Sequence, residues 1–130
     1  MYRWVDHTAE IELEIEAPSE REVLADALSA LAELLGVAET SGDEHRTVAV
    51  SASDRPALLA SWLDELVFLA ESEGFIATRI ESLELGSDSL LAIVRGSLGE
   101  PPPIVKAVTY HRLAFGTAGR GYFARVVLDV

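Results

Sequence analysis

The sequence predicts a mixed α+β fold in a single domain spanning residues 1–130, with two helices packed on a mixed, mostly antiparallel sheet. Three observations support this prediction. Strict alternation of apolar and acidic residues at 11–16 is typical of a strand, two stretches with helical spacing follow between residues 19 and 74, and four strand-like runs fill the chain from residue 75 onward. The length suits one domain with a substantial core and is short for two.

The first strand and the first helix follow from their periodicities. The Ile-Glu-Leu-Glu-Ile-Glu stretch at 11–16 places its aliphatic side chains on a core face and its glutamates in solvent. An acidic docking patch is the alternative for these glutamates. Ser19 and Glu22 then have the spacing of a capping box, apolar residues recur at helical spacing from 23 to 35, and Gly36 is a typical helix stop.

A second strand and a second helix are expected next. Residues 47–52 are predicted as the strand, and the helix begins where Asp54 can cap it and Pro56 suits its first turn. Apolar residues of this helix cover more than one stripe, which predicts burial between layers or beneath a partner. Trp62 is assigned to the core. His45, at a loop edge, is expected to be exposed.

Four strand-like runs complete the chain. They span residues 75–85, 90–98, 104–115 and 122–130. Three consecutive prolines at 101–103 remove backbone donors and interrupt the sheet edge between the second and third runs. The glycine-rich stretch 116–121 lies between two strands, so it is expected to be a hairpin turn. Because the last run reaches Val130, a carboxylate there is expected to have a fixed position.

Composition narrows the classes of function. The chain has 22 Asp and Glu residues against 10 Lys and Arg residues, for a formal net charge of -12. This charge disfavours direct, tight nucleic-acid binding and suits a cation or a basic partner protein. Cysteine is absent, so thiolate metal sites and cysteine nucleophiles are excluded. No stretch has the length of a membrane span and no signal peptide is visible, so the cytoplasm is the expected location, away from the membrane.

Polar groups that neither core packing nor turn formation requires occur in three segments. The candidate functional residues are Asp6, His7, Thr8 and Glu10 in the first segment, Lys106, Thr109 and His111 in the second, and Asp129 and Val130 in the third. Each also has a plainer interpretation. Asp6 or Thr8 suits a side-chain turn before the strand, and Glu10 extends its solvent face. Lys106 and His111 suit a phosphate, an acidic partner or simple exposure. Tyr110 is assigned to the core, with its hydroxyl tied to a neighbour.

The last two residues bring two negative groups together. The Asp129 side chain and the Val130 α-carboxylate, if about 4 Å apart, repel by about 1 kcal/mol in water and about 4 kcal/mol at a partly buried site. A cation removes that penalty. Hard oxygen donors favour calcium or magnesium over zinc, with manganese as a further candidate.

Several catalytic constellations are missing from the sequence. It has no phosphate-binding loop, no nucleophile elbow and no His pair spaced for zinc. Two classes of function stay open on the residues alone. One is a structural interaction module without a metal, and the other is a small metal-assisted hydrolase that uses Glu10, His7 and Asp129 to activate water.

The three segments together resemble the archease family. Asp-His-Thr-Ala-Glu near the start, Lys-Ala-Val-Thr-Tyr-His, and an Asp-aliphatic end after a Val-Val-Leu strand are similar to the family patterns D/E-H-T-A-D, K-A-[VI]-T-Y-H and V-D-I. The capped first helix and the Trp-Leu-Asp-Glu-Leu helix also look like that family, so the resemblance covers essentially the whole chain. It implies a strand-helix-strand-strand (SHS2-like) fold.

The resemblance also implies a function. Archease acts as a cofactor of the RtcB-type tRNA-splicing ligase, which joins RNA ends after GTP attaches GMP to a histidine of the ligase. The cofactor speeds this guanylylation and sustains repeated turnover in a metal-dependent process. A member of the family is therefore expected to be an activator and not an enzyme.

A metal site is part of what the resemblance implies. The family's ligands correspond here to Glu10, Asp129 and Val130, and Glu10 replaces the aspartate that ends the family motif. Its extra methylene shifts the carboxylate, which puts the metal preference and affinity in doubt. If Glu10 and Asp129 meet, they lie on neighbouring strands, the first and the last of the chain. The cluster is then expected either to hold a divalent ion or to offer its carboxylates to metal in the ligase.

Overall fold

Antiparallel strands and two helices make up the part of the chain that the computed structural model describes, residues 1–37 and 42–130. The order is β1 (Tyr2–His7), β2 (Glu10–Ala17), α1 (Glu20–Leu34), β3 (Glu44–Ser51), α2 (Arg55–Glu73), β4 (Phe75–Leu85), β5 (Ser89–Leu98), β6 (Ala107–Ala118) and β7 (Gly121–Asp129). The predicted α+β class, with two helices packed on mostly antiparallel strands, is confirmed.

The strands form two sheets, where the sequence led us to expect one. Sheet A has the strand order β1-β2-β7-β6, sheet B has the order β3-β5-β4, and every pairing is antiparallel. Alternation of side chains identifies a strand and its two faces, but it does not identify the partner strand. The division into two sheets therefore lies beyond what the pattern can predict.

Strand β1 was not predicted at all, and several boundaries of other strands differ from the prediction. Adjacent Trp4 and Val5 break the alternation in β1, which hides the strand from a period-two search. Strand β3 begins three residues earlier than predicted, at Glu44, and β6 begins three residues later, at Ala107. The turn between β6 and β7 is also tighter than predicted, because both strands extend into the glycine-rich stretch and leave only residues 119–120 between them.

The helices begin where their capping residues predict. The Ser19 hydroxyl accepts a hydrogen bond from the backbone N–H of Glu22 at the start of α1. At the start of α2, the Asp54 carboxylate accepts one from the backbone N–H of Ala57 at 2.8 Å. Gly74 ends α2 in the left-handed region, with φ of 67°, where residues with a side chain are rarely found. The two helices are thus fixed by local chemistry.

The core lies between the helices and the inner faces of the sheets. Trp62 of α2 is fully buried, and its indole N–H donates to the Leu24 carbonyl of α1 at 3.0 Å, which confirms its assignment to the core. Leu13 and Ile15 of β2 are buried in the same core, as predicted. These contacts fix the orientation of β2, so the acidic residues of β2 lie on the outer face of sheet A.

Candidate functional site

The three polar segments meet at one end of sheet A. Residues 6–10 form the hairpin between β1 and β2, residues 129–130 follow the end of β7, and residues 106–111 enter β6. One row across the sheet pairs His7 with Glu10, Glu10 with Asp129, and Asp129 with Ala107. Segments from opposite ends of the sequence are therefore neighbours in the fold.

Glu10 and Asp129 lie directly opposite each other on β2 and β7. Partners in such a register share one face of the sheet, with Cβ atoms about 4.5–5.5 Å apart. Both residues are half-buried, and within the described residues neither carboxylate has an ion pair or a side-chain hydrogen bond. Like charges placed opposite each other destabilise a sheet. The expectation that these residues lie on neighbouring strands is confirmed, although the strand of Glu10 is the second of the chain and not the first. The pair is a local excess of negative charge.

Backbone hydrogen bonds hold the end of β7 in place. The Val130 N–H donates to the Ala9 carbonyl at 3.2 Å, and the Asp129 carbonyl accepts from the Lys106 N–H at 2.7 Å. Ala9 adopts φ of 60° in the turn that follows β1. Val130 is half-buried. The backbone at residues 129 and 130 is thus tied on one side to the β1–β2 hairpin and on the other to the start of β6.

The donor set at this point is oxygen-rich but small. No group of three or more His, Asp or Glu side chains in residues 1–37 and 42–130 is arranged to hold a metal. Of the ligands that the resemblance implies, Glu10 and Asp129 place their carboxylates on one face of sheet A, and Val130 follows directly after Asp129. An all-oxygen set fits calcium or magnesium, which commonly complete their coordination with water, better than zinc. In chemical type, the residues present therefore fit a hard divalent cation.

The remaining candidates of the first segment lie in the β1–β2 hairpin, before Glu10. Asp6 and His7 are exposed at the end of β1, and Thr8 is exposed in the turn. The His7 Nε2 atom lies 3.9 Å from Oε1 of Glu12. The His7 side chain therefore faces Glu12, on the same outer face of sheet A as Glu10.

The candidates of the second segment lie along the start of β6. Lys106 and His111 are exposed, and Thr109 is half-buried. The Thr109 hydroxyl accepts a hydrogen bond from the His111 N–H at 3.3 Å. This contact ties the two residues together at the beginning of an irregular part of the strand.

The prediction that Tyr110 belongs to the core is wrong. Its side chain is 64% exposed. The register between β6 and β7 shifts between Thr109 and Ala114, so that β6 bulges and the alternation that assigned Tyr110 to the face of buried Val108 no longer applies. Tyr110 is therefore a surface aromatic residue on β6, the strand that pairs with β7.

Glu12 also departs from its predicted place. It was expected in solvent with the other glutamates of β2, yet it is only 3% exposed. Arg112 covers it from the bulge of β6, with Nε 2.9 Å from Oε1 of Glu12. A signal in the sequence pointed to this irregularity, since Arg112 has the same parity as Val108, and a charged residue at a core position argues against a regular strand.

The charges around Glu12 act against the effect of its burial. Burial raises the pKa of the Glu12 carboxyl, but the hydrogen bond and the charge of Arg112 lower it. A side-chain hydrogen bond with Glu14 and the charge of Arg125 lower this pKa further. The net result is a pKa below the usual value of 4.5. Glu12 is therefore an ionised carboxylate held beneath a guanidinium.

We expect the stabilising contribution of Glu12 to be lost in acid. A carboxyl whose pKa is lower in the folded than in the unfolded state stabilises the fold above its unfolded pKa, and this contribution disappears as the pH falls through the folded value. Chemical unfolding of the wild type and of Glu12→Gln at pH values from about 7 to about 3 measures it. The difference in free energy of unfolding should shrink as the pH falls. A constant difference would contradict the prediction.

Comparison with known proteins decides the family. The model of the archease protein family matches residues 2–130. The chain belongs to the archease family. Among curated relatives, the archease of Archaeoglobus fulgidus is 31% identical, and the match covers 99% of this chain and 98% of that protein. The archease of Methanosarcina acetivorans is 30% identical over 99% of this chain and 95% of its own length.

Solved structures related to the archease family show the same fold. The solution structure of protein 1598 of Methanobacterium thermoautotrophicum superimposes with a TM-score of 0.69 at 24% identity, covering 99% of this chain and 98% of that one. The crystal structure of a Thermotoga maritima archease, described as a possible chaperone, gives a TM-score of 0.67 at 24% identity, covering 100% of this chain and 98% of that one.

Within the described residues, neither helix is long and apolar enough to cross a membrane.

Proposed function

We propose that this chain is a metal-binding accessory protein that activates an RtcB-type RNA ligase. It accelerates the GTP-dependent guanylylation of the ligase and supports multiple turnover in tRNA splicing or RNA repair, in the cytoplasm. The chain makes no bond in RNA itself. The observation that carries this proposal is the pairing of Glu10 with Asp129 across β2 and β7, at the point where all three family motifs meet.

The electrostatics of the pair support a role in binding a cation. Two carboxylates on one face of a sheet repel each other, and neither is neutralised by a neighbouring base within the described residues. A bound calcium or magnesium ion supplies the missing positive charge. Glu10 and Asp129 would hold it from two strands, with the α-carboxylate of Val130 as the third oxygen ligand. The backbone bonds at Asp129 and Val130 keep these groups in place.

The charge of the chain supports an accessory role instead of direct action on RNA. A net charge of -12 repels a polyanion, whereas it suits contact with a basic surface of a protein that itself binds RNA. Cysteine is absent and no nucleophile motif occurs in the sequence. A protein with this negative net charge is better suited to bind an RNA ligase than to bind RNA.

A second candidate is a protein-interaction module of strand-helix-strand-strand type without a metal role. The observation that favours it is the small donor set, since no third acidic or His side chain joins Glu10 and Asp129 among the described residues. If the chain is such a module, its docking to a partner should not depend on divalent ions. If it is the proposed activator, its effect on the ligase should require the cation.

Single-turnover guanylylation of the ligase tests the proposed function. Purified cognate RtcB-type ligase is mixed with labelled GTP and a divalent metal, with and without this chain, and formation of the covalent GMP–ligase product is followed. We expect the chain to raise the rate by about tenfold or more, equivalent to about 1.4 kcal/mol of activation free energy. An unchanged rate with the cognate ligase would remove the proposal.

A further inference from the structure

The bulge of β6 is a second feature at the same end of sheet A. Thr109 pairs with Val127 and Ala114 pairs with Arg125, so residues 110–113 of β6 face a single residue of β7. Arg112 within the bulge has φ of 59°. Residues with a side chain rarely adopt this conformation, and it persists only where the surroundings enforce it.

Two contacts hold the bulge against the outer face of the sheet. The Arg112 guanidinium donates to Oε1 of Glu12 at 2.9 Å, although β6 and β2 are separated by β7. In the other direction, Arg125 of β7 donates from Nε to the Arg112 carbonyl at 2.9 Å. Val127, which lies between Glu12 and Thr109 in the register, is only 1% exposed. Glu12 and Arg125 therefore fix the side chain and the backbone of Arg112 separately.

The residue of β2 that anchors the bulge and the residues that project from the bulge differ sharply in burial. Glu12 is 3% exposed, while Tyr110 is 64% exposed and His111 is also exposed. The Arg112 side chain that covers Glu12 is 51% exposed, so only one partner of this ion pair is buried. A salt bridge with one solvated partner stabilises a fold modestly, and its geometry also fixes the position of the bulge. The contact between Glu12 and Arg112 thus fixes the part of β6 from which the exposed Tyr110 and His111 project, on the strand that pairs with the strand of Asp129.

We propose that Glu12 is a positioning residue, which through Arg112 holds the β6 bulge so that Tyr110 and His111 contact the ligase. This inference rests on the proposed function and adds the surface that recognises the partner. The partner is a protein with a pocket for an aromatic side chain, because Tyr combines a large contact area with few rotatable bonds and is enriched at the centre of protein interfaces. The carboxylate pair then lies next to the anchored partner.

Titration of the ligase with variants of the chain tests this proposal. The single-turnover guanylylation rate is measured against the concentration of chain, which separates the concentration for half-maximal stimulation from the maximal rate. We expect Glu12→Gln, Arg112→Ala and Tyr110→Ala each to raise the half-saturating concentration by about tenfold, with the maximal rate retained. Arg112→Lys keeps the charge and should recover part of the loss.

A matched control and a structural readout accompany the titration. Glu81→Gln removes an ion pair of similar geometry, in which Arg95 lies 2.6 Å from Glu81 on sheet B, and should leave both parameters unchanged. Amide hydrogen exchange at residues 110–113 should accelerate in Glu12→Gln but not in Tyr110→Ala. Exchange elsewhere shows whether each variant is folded.

The outcomes separate the two proposals. If wild-type chain stimulates the ligase and Glu12→Gln or Tyr110→Ala acts at the same concentrations, the positioning role is wrong and the accessory function stands. If the variants lower only the maximal rate, the bulge belongs to the chemical step and not to docking, and the proposal is again overturned. If wild-type chain gives no stimulation, the accessory function itself fails and this inference fails with it.

Discussion

Alanine at Asp129 or Glu10 is expected to abolish stimulation of the ligase. Each substitution removes one of the two side-chain carboxylates that lie opposite each other on β2 and β7, and a divalent ion then loses half of its side-chain ligands. The guanylylation rate in the presence of either variant should fall to the rate of the ligase alone.

Wild-type chain should also unfold at a higher temperature as calcium or magnesium is added, because a ligand that binds only the folded state stabilises it. Both variants should lose this shift.

The fold should survive these substitutions, and removing one of two like charges should, if anything, stabilise the metal-free protein. Glu16→Ala is the matched control, since Glu16 is exposed at the other end of β2, opposite Phe123, and should leave stimulation and metal binding intact. Glu10→Asp restores the residue that ends the family motif and should retain activity while changing the metal preference. Full stimulation by folded Glu10→Ala and Asp129→Ala would exclude the metal assignment.

Trp62→Ala is expected to cause the largest loss of stability. The indole of Trp62 is fully buried between the helices and the sheets, and truncation of a buried aromatic residue to alanine costs about 3–5 kcal/mol. The variant also leaves the Leu24 carbonyl without the indole donor that it accepts from at 3.0 Å. Urea unfolding followed by circular dichroism measures the change in free energy.

Phe68→Ala provides the comparison on the same helix. Phe68 is 57% exposed, so its truncation should change the free energy of unfolding by less than about 0.5 kcal/mol. Similar effects of the two substitutions would show that Trp62 contributes far less to the core than its burial indicates.

Local chemistry explains why much of the fold could be predicted from the sequence. The caps at Ser19 and Asp54, the stop of α1 at Gly36 and the alternation of β2 depend on neighbours within a few residues, and the structure has each of them where the pattern placed it. The pairing of Glu10 with Asp129 depends on distant residues. It was expected because both residues correspond to positions of one family motif set, and not because of any periodicity.

Features that depend on strand partners or on an irregular backbone could not be predicted in this way. The division into two sheets and the place of β1 at an edge of sheet A follow from which strands pair, which no local pattern specifies. Glu12 and Tyr110 were misplaced for a different reason. Both assignments assumed regular alternation, and the bulge at residues 110–113 buries Glu12 under Arg112 and turns Tyr110 outward.

The position of β7 between β2 and β6 has a consequence for synthesis of the protein. Strand β2 is synthesised before α1, but its neighbour β7 is made only after the other eight elements that the structure describes. Closing so long a loop is entropically costly and slow, so sheet A can be completed only late in biogenesis. A nascent chain stalled before residue 121 would expose one edge of β2 to aggregation and to chaperones, with Glu10 present but its partner strand still untranslated.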